Sequence, residues 1–503
     1  MPSSLLPEPP TAQTESLEAV DAVLARFDPA WPQGHPTARL LEEYLLGRAH
    51  GILDVSGRPV PPEGNPADFA SPGDASSVFA AAPGTGPVTV VLDDPTGALV
   101  LVAALTGAPA VHAWADSARA QEAIRAACAH LPAELQEVVT LHSQRRDALR
   151  AAQQDADRTR SGDTQPSPGI RVVVESPKQL AVMTQLLHDG ADTAAEVVVA
   201  GRDKHLSPRL NSVLGEAFAQ VHVSPGVRKS RLIIGVEPRS AGTAEDGVAA
   251  DDEAGNDVDA GSEGVGADEV SDHDEGFAFS TVASSIPGVP DLSVTARPGT
   301  FGGTRADAGA QLLVRALADR LTAIRAGRGG PLSSGPSVTG AGHRRVLDLG
   351  CGNGWLLAAL GALIPGAELW GIDDVRAAVA STEATVRNSP AVQEDPGRRI
   401  VVVHADGTAP LPWAGPAGEE VAAGMFDLVT LNPPFHEGHV VTTDTAHALI
   451  DSAVRLLAPG GRLVLVHNSH LRYRTHLERV LDDVQQWARD RRFTVLSGLA
   501  RQA

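Results

Sequence analysis

Short runs of β-branched and aliphatic residues alternate with amphipathic stretches along the first half of the chain. The runs are typical of buried strands, and the stretches between them repeat their apolar positions at helical spacing. Strands are predicted at TVVLDD (89–94), RVVVES (171–176), EVVVAG (196–201) and RLIIGV (231–236), and helices at 116–131 and 176–190. Strands that alternate with helices predict βαβ units and a mostly parallel sheet.

The second half repeats this alternation more sharply. Its predicted strands are RRVLDLG (344–350), ELWGIDD (368–374), RIVVVHADG (399–407), FDLVTLNPPF (426–435) and RLVLVHNSH (462–470), with a helix after each of the first two and another near 443–457. The strands end in polar or glycine-rich loops at one edge of a doubly wound sheet, the edge at which such folds bind ligands. The predicted fold class is α/β, with two Rossmann-like domains.

Segments of biased composition divide the chain. Residues 152–169 and 326–342 are rich in Gly, Pro, Ser or polar residues and are predicted to be loops. A longer acidic stretch is predicted as an insert or linker at 241–276. The predicted domains are therefore 1–240 and 277–503.

Charge is distributed unevenly. The net charge of −21 argues at first against a nucleic-acid partner. Residues 245–275, however, hold 13 acidic residues and no Lys or Arg, whereas residues 276–503 hold 21 Arg and 21 acidic residues. Such an acidic stretch cannot form a core and predicts a disordered, solvated segment. An RNA mimic that gates a basic site is the alternative interpretation.

Composition excludes several classes of protein. No window reaches the ~18 uninterrupted apolar residues of a membrane span, and the first residues lack the charged and apolar regions of a signal peptide. The two cysteines, Cys128 and Cys351, are too few for a disulfide scaffold or a Cys-based zinc site and fit a reducing cytoplasm. No metal is predicted, because neither HxxxH spacing nor neighbouring cysteines accompany the candidate histidines, His436, His439, His467 and His470.

A glycine-rich turn follows the first strand of the second half. In DLGCGNG the glycines let the backbone approach a ligand, and the next helix offers free N–H groups. A dinucleotide cofactor, S-adenosylmethionine or plain tight turning would each explain the glycines alone. The GxGxG spacing, after a carboxylate that can bind a methionyl ammonium, favours S-adenosylmethionine. The candidate cofactor-binding residues of the turn are Asp348, Gly350, Cys351, Gly352, Asn353 and Gly354, of which the cysteine is expected to pack beneath the ligand.

Two further acidic residues follow neighbouring strands. Asp373 ends the second strand, where it can accept hydrogen bonds from both ribose hydroxyls of the cofactor, with a strand-end cap as the alternative. Asp406 follows the third strand and is a candidate acceptor for the adenine amino group. A turn-forming aspartate explains Asp406 equally well.

The motif NPPF, Asn432 to Phe435, ends the fourth strand. Two prolines terminate a strand because neither can donate to the ladder, but this does not account for Asn432 or Phe435. The Asn432 oxygen and a backbone carbonyl at Pro433 or Pro434 can hold an exocyclic aromatic amine with its lone pair facing an electrophilic methyl group. Phe435 would stack on a flipped base, and His436 is a candidate for the base pocket.

On these motifs, the second half resembles the small-domain class I methyltransferases that modify guanine N2 in ribosomal RNA. The resemblance covers most of the chain apart from the acidic insert, and it is closer to the large-subunit (23S rRNA) enzyme than to the small-subunit (16S rRNA) one. The resembling segments are RLLEEYLL (39–46), LDDPTGAL (92–99), SPKQLAVMTQLL (176–187), VRKSRLI (227–233), PGTFGGTRADAGAQLL (298–313), DLGCGNG, NPPFHEGH (432–439) and HNSHLRYRTHLERV (467–480).

The resemblance implies an S-adenosylmethionine-dependent methyl transfer to a guanine N2 amine of ribosomal RNA, in the cytoplasm. It also implies that the first domain is a methyltransferase fold without its cofactor loop, which supports folding and docks RNA. Phe301 and Arg472 are candidate substrate contacts within the resembling segments. The alternatives are a glutamine-N5 or adenine-N6 methyltransferase, or a ribosome-binding protein without activity.

Clusters of basic residues supply a plausible set of phosphate contacts, although each cluster alone is typical of a solvated surface. They are Arg228, Lys229 and Arg231; Arg472 and Arg474; and Arg489, Arg491 and Arg492.

Deletion of residues 245–275 is expected to leave the fold and the cofactor affinity intact, because a disordered acidic segment buries almost no apolar surface. RNA affinity should stay the same or rise at low salt, since 13 negative charges that repel phosphates are removed. Thermal melting, cofactor titration and RNA binding at two salt concentrations measure these effects. A melting temperature lowered by several degrees would show that the segment packs.

Overall fold

The computed structural model describes residues 21–46, 52–54, 86–159, 169–177, 179–191, 194–239, 277–328, 332, 344–433 and 443–501. These residues form two compact units. The first unit takes the described residues of 1–94, 98–114 and 127–276, and the second takes those of 95–97, 115–126 and 277–503. Outside the described residues lie the predicted insert at 241–276, residues 160–168 of one predicted loop and most of the loop predicted at 326–342.

The described elements of the first half follow the predicted alternation of strands and helices. In chain order they are α1 (Pro36–Leu45), β1 (Leu53–Asp54), β2 (Val88–Leu92), α2 (Ala98–Leu105), β3 (Val111–Trp114), α3 (Ala118–Cys128), α4 (Ala133–Gln136), β4 (Val139–Leu141), α5 (Arg145–Thr159), β5 (Ile170–Glu175), α6 (Leu180–Ala191), β6 (Glu196–Arg202), α7 (Arg209–Ala217), β7 (Phe218–Val223) and β8 (Ser230–Pro238).

The strands of the first unit form an eight-stranded sheet in the order β1-β7-β8-β6-β5-β2-β3-β4. Strands β6, β5, β2, β3 and β4 are parallel, whereas β8, β7 and β1 pair antiparallel at the other end. Every residue of β2 is buried. Because successive side chains of a strand point to opposite faces, this uniform burial means that both faces of the sheet centre are covered.

One predicted loop is helical in part. Residues 152–159 continue helix α5, so the loop prediction was wrong over that stretch. Ala148, Ala152 and Ala156 recur at four-residue spacing and are almost fully buried, and their small side chains let the helix pack on β2 and β3. The Gln and Asp residues that suggested a loop include Gln153 and Asp157, which hydrogen-bond one turn apart at the surface.

The described elements of the second half are β9 (Ala278–Val282), β10 (Leu292–Ala296), α8 (Ala308–Arg325), β11 (Arg345–Leu349), α9 (Trp355–Leu363), β12 (Glu368–Asp373), α10 (Arg376–Arg387), α11 (Pro390–Gln393), β13 (Ile400–His404), β14 (Trp413–Ala414), β15 (Glu420–Val421), β16 (Phe426–Leu431), α12 (Thr443–Leu456), β17 (Leu457–Asn468), α13 (Arg474–Val480), β18 (Asp482–Arg489) and β19 (Phe493–Leu499).

The large sheet of the second unit has seven strands in the order β13-β12-β11-β16-β17-β19-β18. The first five are parallel, and β19 and β18 are antiparallel to their neighbours. From β11 the chain proceeds outward on one side through β12 and β13 and then returns to β16 on the other side. This reversal opens a crevice at the carboxyl ends of β11 and β16, where such sheets bind ligands. The α/β class with two Rossmann-like sheets is confirmed.

The antiparallel end of this sheet did not emerge from the sequence. Strand β18, DDVQQWAR, has no buried residue and carries mostly polar side chains, so no hydrophobic alternation marks it. It is held by backbone pairing with the buried strand β19 and by the partly buried side chains of Val484, Trp487 and Ala488, which pack against the core. Among the described helices, none has the length and apolar character needed to cross a membrane.

The hairpin of β9 and β10 fixes the segment that leads to α8. The Thr295 N–H donates to the Thr385 hydroxyl and the Arg297 N–H to the Ser381 hydroxyl, each at 3.0 Å. The Thr300 and Ser381 hydroxyls are also 3.0 Å apart. Residues 298–307 therefore start from an anchored position on α10 and run past the carboxyl end of the sheet.

Candidate active site

The turn after β11 is shaped by its glycines. Gly350 and Gly354 have φ angles of +80° and +78°, which favour glycine. A Cβ on Gly354 would lie 2.7 Å from the Cα of Thr382, so a larger residue does not fit between the turn and α10. A Cβ on Gly350 would meet no atom of the described residues within 4 Å. The backbone at Gly350 therefore faces open space that a ligand can approach.

Asp373 ends β12 beside this turn. Its Oδ2 accepts a hydrogen bond from the Gly352 N–H (2.9 Å), and its Oδ1 accepts one from the Val375 N–H (3.0 Å). These bonds fix the carboxylate, and each oxygen keeps a lone pair for a ligand. Burial raises the pKa of Asp373 to about 6, although the two backbone hydrogen bonds act in the opposite direction.

Asp348 lies on β11 with 1% of its surface exposed. Its Oδ1 accepts a hydrogen bond from the Thr430 hydroxyl (2.9 Å) on the neighbouring strand. Burial raises the pKa of Asp348 to about 8; the Thr430 hydrogen bond opposes this shift, and the nearby charge of Asp373 adds to it. A positively charged ligand group would favour the ionised form. The role of Asp348 as an ammonium contact stays a prediction.

The side chains of two other residues in the turn make contacts within the protein. Asn353 donates to the backbone carbonyls of Gly303 and Arg305, both at 2.8 Å, and accepts from the Trp355 N–H at 3.1 Å. Its backbone, rather than its side chain, thus remains for a cofactor contact. Cys351 is buried, and burial raises the pKa of its thiol, so the thiol stays neutral as expected of a residue that packs.

Asp406 follows β13 with its carboxylate already paired. Arg119, from the 115–126 segment of the second unit, donates from Nε to Oδ2 and from Nη2 to Oδ1, both at 3.0 Å. The Thr408 hydroxyl donates to Oδ1 at 2.7 Å. Burial alone would raise the pKa of Asp406, but these hydrogen bonds lower it overall. Its role as an adenine acceptor stays a prediction, and an adenine amine would share the carboxylate with Arg119.

Asn432 is the first residue after β16, a strand whose residues are all buried. Its Nδ2 donates to Oδ2 of Asp307 at 3.1 Å. Its Oδ1 is buried and has no hydrogen-bond partner in the part of the chain that the structure describes. Since β12 and β16 flank β11, Asn432 lies two strand spacings, about 10 Å, from the end of β12. The sequence did not single out Asp307, because its partner is 125 residues away.

The structure describes some of the other predicted site residues and not the rest. Phe301 is 47% exposed, and its carbonyl oxygen lies 3.6 Å from where a Cβ on Gly352 would be, so it borders the turn. Arg472 is exposed between β17 and α13. Outside the described residues lie Pro434, Phe435 and His436.

A glycine turn, an acidic residue at the next strand end and a buried amide oxygen across the reversal together suit transfer of a group from an adenosine-containing cofactor to a nitrogen. Proteins with this arrangement on a Rossmann-like sheet are the class I methyltransferases. Family profiles agree with this class. The methyltransferase small domain profile matches residues 291–497, and the RLMG N-terminal domain profile matches residues 78–240.

Curated relatives extend over both halves of the chain. "Ribosomal RNA large subunit methyltransferase G" of Streptomyces avermitilis is 28% identical over 382 residues, covering 75% of this chain and 84% of the relative. The protein of the same name from Pseudomonas aeruginosa is 29% identical and covers 67% of this chain and 72% of its own length. "Ribosomal RNA small subunit methyltransferase C" of Chromohalobacter salexigens is 34% identical over 41% of this chain and 50% of the relative.

Among solved structures, a T. thermophilus 16S rRNA N2 methyltransferase in complex with AdoMet and guanosine matches with a TM-score of 0.54 at 21% identity. The match covers 82% of this chain and 88% of that one and confirms the fold. The two profiles match in chain order, with the RLMG N-terminal domain ahead of the methyltransferase small domain. The family resemblance found in the sequence is confirmed.

Replacement of Asp373 by Ala is expected to weaken S-adenosylmethionine binding by about 1–3 kcal/mol, the range for charge-assisted hydrogen bonds. Isothermal titration calorimetry of both proteins measures the loss. Glu394→Ala, which removes an exposed acid after α11, is the matched control and should bind as the wild type does. Equal affinity of Asp373→Ala and the control would remove Asp373 from the cofactor site.

Cofactor affinity is expected to rise with pH between about 5.5 and 7.5. The raised pKa values of Asp373 (about 6) and Asp348 (about 8) leave these carboxyls partly or mainly protonated over this range, whereas a cationic ligand binds the ionised forms. Each linked proton contributes at most about a tenfold gain per pH unit. Asp348→Asn should flatten the rise above pH 6.5, and calorimetry across the range tests this. A wild-type affinity that falls with pH would contradict the assignment.

Proposed function

We propose that this protein transfers a methyl group from S-adenosylmethionine to the exocyclic N2 amine of a guanine in ribosomal RNA. The large-subunit (23S) RNA is the favoured substrate and the 16S RNA the next. The observation that carries the proposal is the buried, unpartnered Oδ1 of Asn432 at the strand reversal. The names of the relatives supply the substrate class.

The residues around the turn fit the cofactor. The open backbone at Gly350 approaches it, Asp373 accepts from the ribose hydroxyls, Asp348 binds the ammonium and Asp406 shares its carboxylate with the adenine amine. Once bound, the cofactor supplies a methyl group on a positively charged sulfur. The ammonium group of the cofactor would restore the ionised form of Asp348, whose pKa burial raises.

Asn432 and a backbone carbonyl at Pro433 or Pro434 hold the amine. The exocyclic nitrogen of guanine carries two hydrogens, and its lone pair is delocalised into the ring. Oδ1 of Asn432 and that carbonyl accept these hydrogens and strengthen their bonds as the nitrogen becomes pyramidal. Acceptors fixed in advance stabilise this geometry more than the planar ground state, which lowers the barrier. Overall, one N–H hydrogen is replaced by methyl and a proton is released.

Exposed basic turns support a polyanionic substrate. Arg228 and Lys229 are exposed at the turn between β7 and β8 and adopt positive φ angles. Arg491 and Arg492 are exposed at the turn between β18 and β19, next to the exposed Arg489. Such residues bind phosphates without reading sequence. A ribosomal substrate requires that the protein act in the cytoplasm.

The acceptor pair alone does not distinguish guanine from other amines. The amide of a glutamine side chain or the N6 amine of adenine also presents two hydrogens to two acceptors, so both remain alternatives. The relatives named as ribosomal RNA methyltransferases favour the RNA base over a protein amide. The open glycine turn and the intact Asn432 favour an enzyme over an inactive ribosome-binding protein.

Asn432→Ala is expected to lower kcat by about 10²–10³-fold, the usual loss for one preorganised hydrogen-bond partner, and to leave cofactor affinity unchanged. The loss is confined to turnover because Asn432 lies two strands from Asp373. Single-turnover assays on ribosomal RNA from a strain that lacks the gene measure it. Asn388→Ala, at an exposed helix end, is the matched control. Methylation within about threefold of wild type would show that Asn432 only ends a strand.

Nucleoside analysis of the same reaction identifies the product. The expected product is N2-methylguanosine in large-subunit RNA. The untreated RNA of the deletion strain should lack this nucleoside at the same position. Methylated adenosine, or a methylated glutamine in a ribosomal protein, would instead support one of the two alternatives.

A further inference from the structure

Asp307 lies directly before α8 and contacts two groups with one oxygen. Its Oδ2 accepts from the Ala310 N–H in the first turn of the helix (3.0 Å) and from Nδ2 of Asn432 (3.1 Å). The first bond is that of an ordinary helix cap. The second links the helix to the residue that is proposed to hold the substrate amine.

The contact with Asp307 determines which way the Asn432 amide faces. A carboxylate can only accept hydrogen bonds, so the NH₂ group of Asn432 must face Asp307 and its oxygen must face away. That oxygen is buried without a partner among the described residues, a situation that costs about 1–3 kcal/mol unless a ligand satisfies it. If the amide were flipped, its NH₂ group would face the target amine, and two donors would oppose each other.

We propose that Asp307 is a positioning residue, which holds the Asn432 amide so that Oδ1 faces the substrate amine. The inference rests on the proposed function, because it assigns a purpose to the acceptor on which that function depends. Asp307 itself does not touch the reacting atoms. It acts by excluding the unproductive orientation of Asn432.

The surroundings of Asp307 keep its carboxylate in place. A Cβ on Gly309 would lie 3.0 Å from Oδ2 of Asp307 and 3.4 Å from the Phe493 ring, so glycine at this position leaves room for the carboxylate. Asn353 of the glycine turn donates to Gly303 and Arg305, a few residues before Asp307. These two hydrogen bonds therefore attach the segment that carries Asp307 to the glycine turn.

Asp307→Ser separates positioning from capping. Serine caps helices about as well as aspartate, but its hydroxyl is one atom shorter and does not reach Asn432. We expect kcat to fall about 10- to 100-fold, the scale of a misplaced catalytic group, while KM for RNA, cofactor affinity and melting temperature stay close to wild type. Asp307→Asn should stay within about threefold of wild type, because one amide oxygen can accept both hydrogen bonds.

A double-mutant cycle tests the route of action. In an Asn432→Ala background, Asp307→Ser should cause no further loss of kcat, since there is no amide left to orient. An equal loss in both backgrounds, an Asp307→Asn variant as inactive as Asp307→Ser at unchanged melting temperature, or full activity of Asp307→Ser would each overturn the positioning role. Full activity of Asn432→Ala would instead overturn the proposed function itself.

Discussion

The parallel pairing of β11 with β16 is the constraint on which the site depends. Its register sets Asp348 opposite Thr430 and Leu349 opposite Leu431. The two strands therefore end side by side, and β11 continues into the glycine turn while β16 continues into Asn432. The hydrogen bond from Thr430 to Asp348 lies inside the same pair. A slip of one residue would turn every side chain to the opposite face and move Asn432 out of its position beside the glycine turn.

The parallel strands of the first unit follow the same order as those of the second, but no open glycine turn follows the central strand. Strand β2 lies between β3 and β5 as β11 lies between β12 and β16, but Asp94 follows it. This residue is 1% exposed, and its Oδ2 accepts from the Val100 N–H in the first turn of α2. A helix start attracts an anion, and here the protein's own carboxylate takes the position. The first unit therefore has an internal hydrogen bond after its central strand, where the second unit has its open glycine turn.

Sequence patterns predicted the elements that are marked by the residues of a single short segment. The positions of the glycine turn, Asp373 and Asn432 at one edge of the sheet were predicted because a buried strand leads to each of them and parallel strands end at one edge. The proposed function of Asp307 was missed, because in the sequence an aspartate that only caps a helix cannot be distinguished from one that also orients a distant residue. The contact with Asn432 becomes visible only when α8 packs beside β16. Strand β18 was missed because its sequence is mostly polar and shows no hydrophobic alternation, although it pairs with β19. A contact 125 residues away in sequence set the outcome at Asp307, whereas pairing with the next strand set it at β18.

The acids of the cofactor site would repel an RNA substrate if all of them were exposed and ionised. The structure limits this repulsion at each one. Burial raises the pKa of Asp348 to about 8, so it carries a proton at neutral pH until a cation displaces it. Arg119 neutralises Asp406, and two backbone N–H groups face Asp373. If a cationic ligand replaces the proton of Asp348, the local charge stays nearly constant, so the proposed binding of a cation does not by itself add to the repulsion of phosphates.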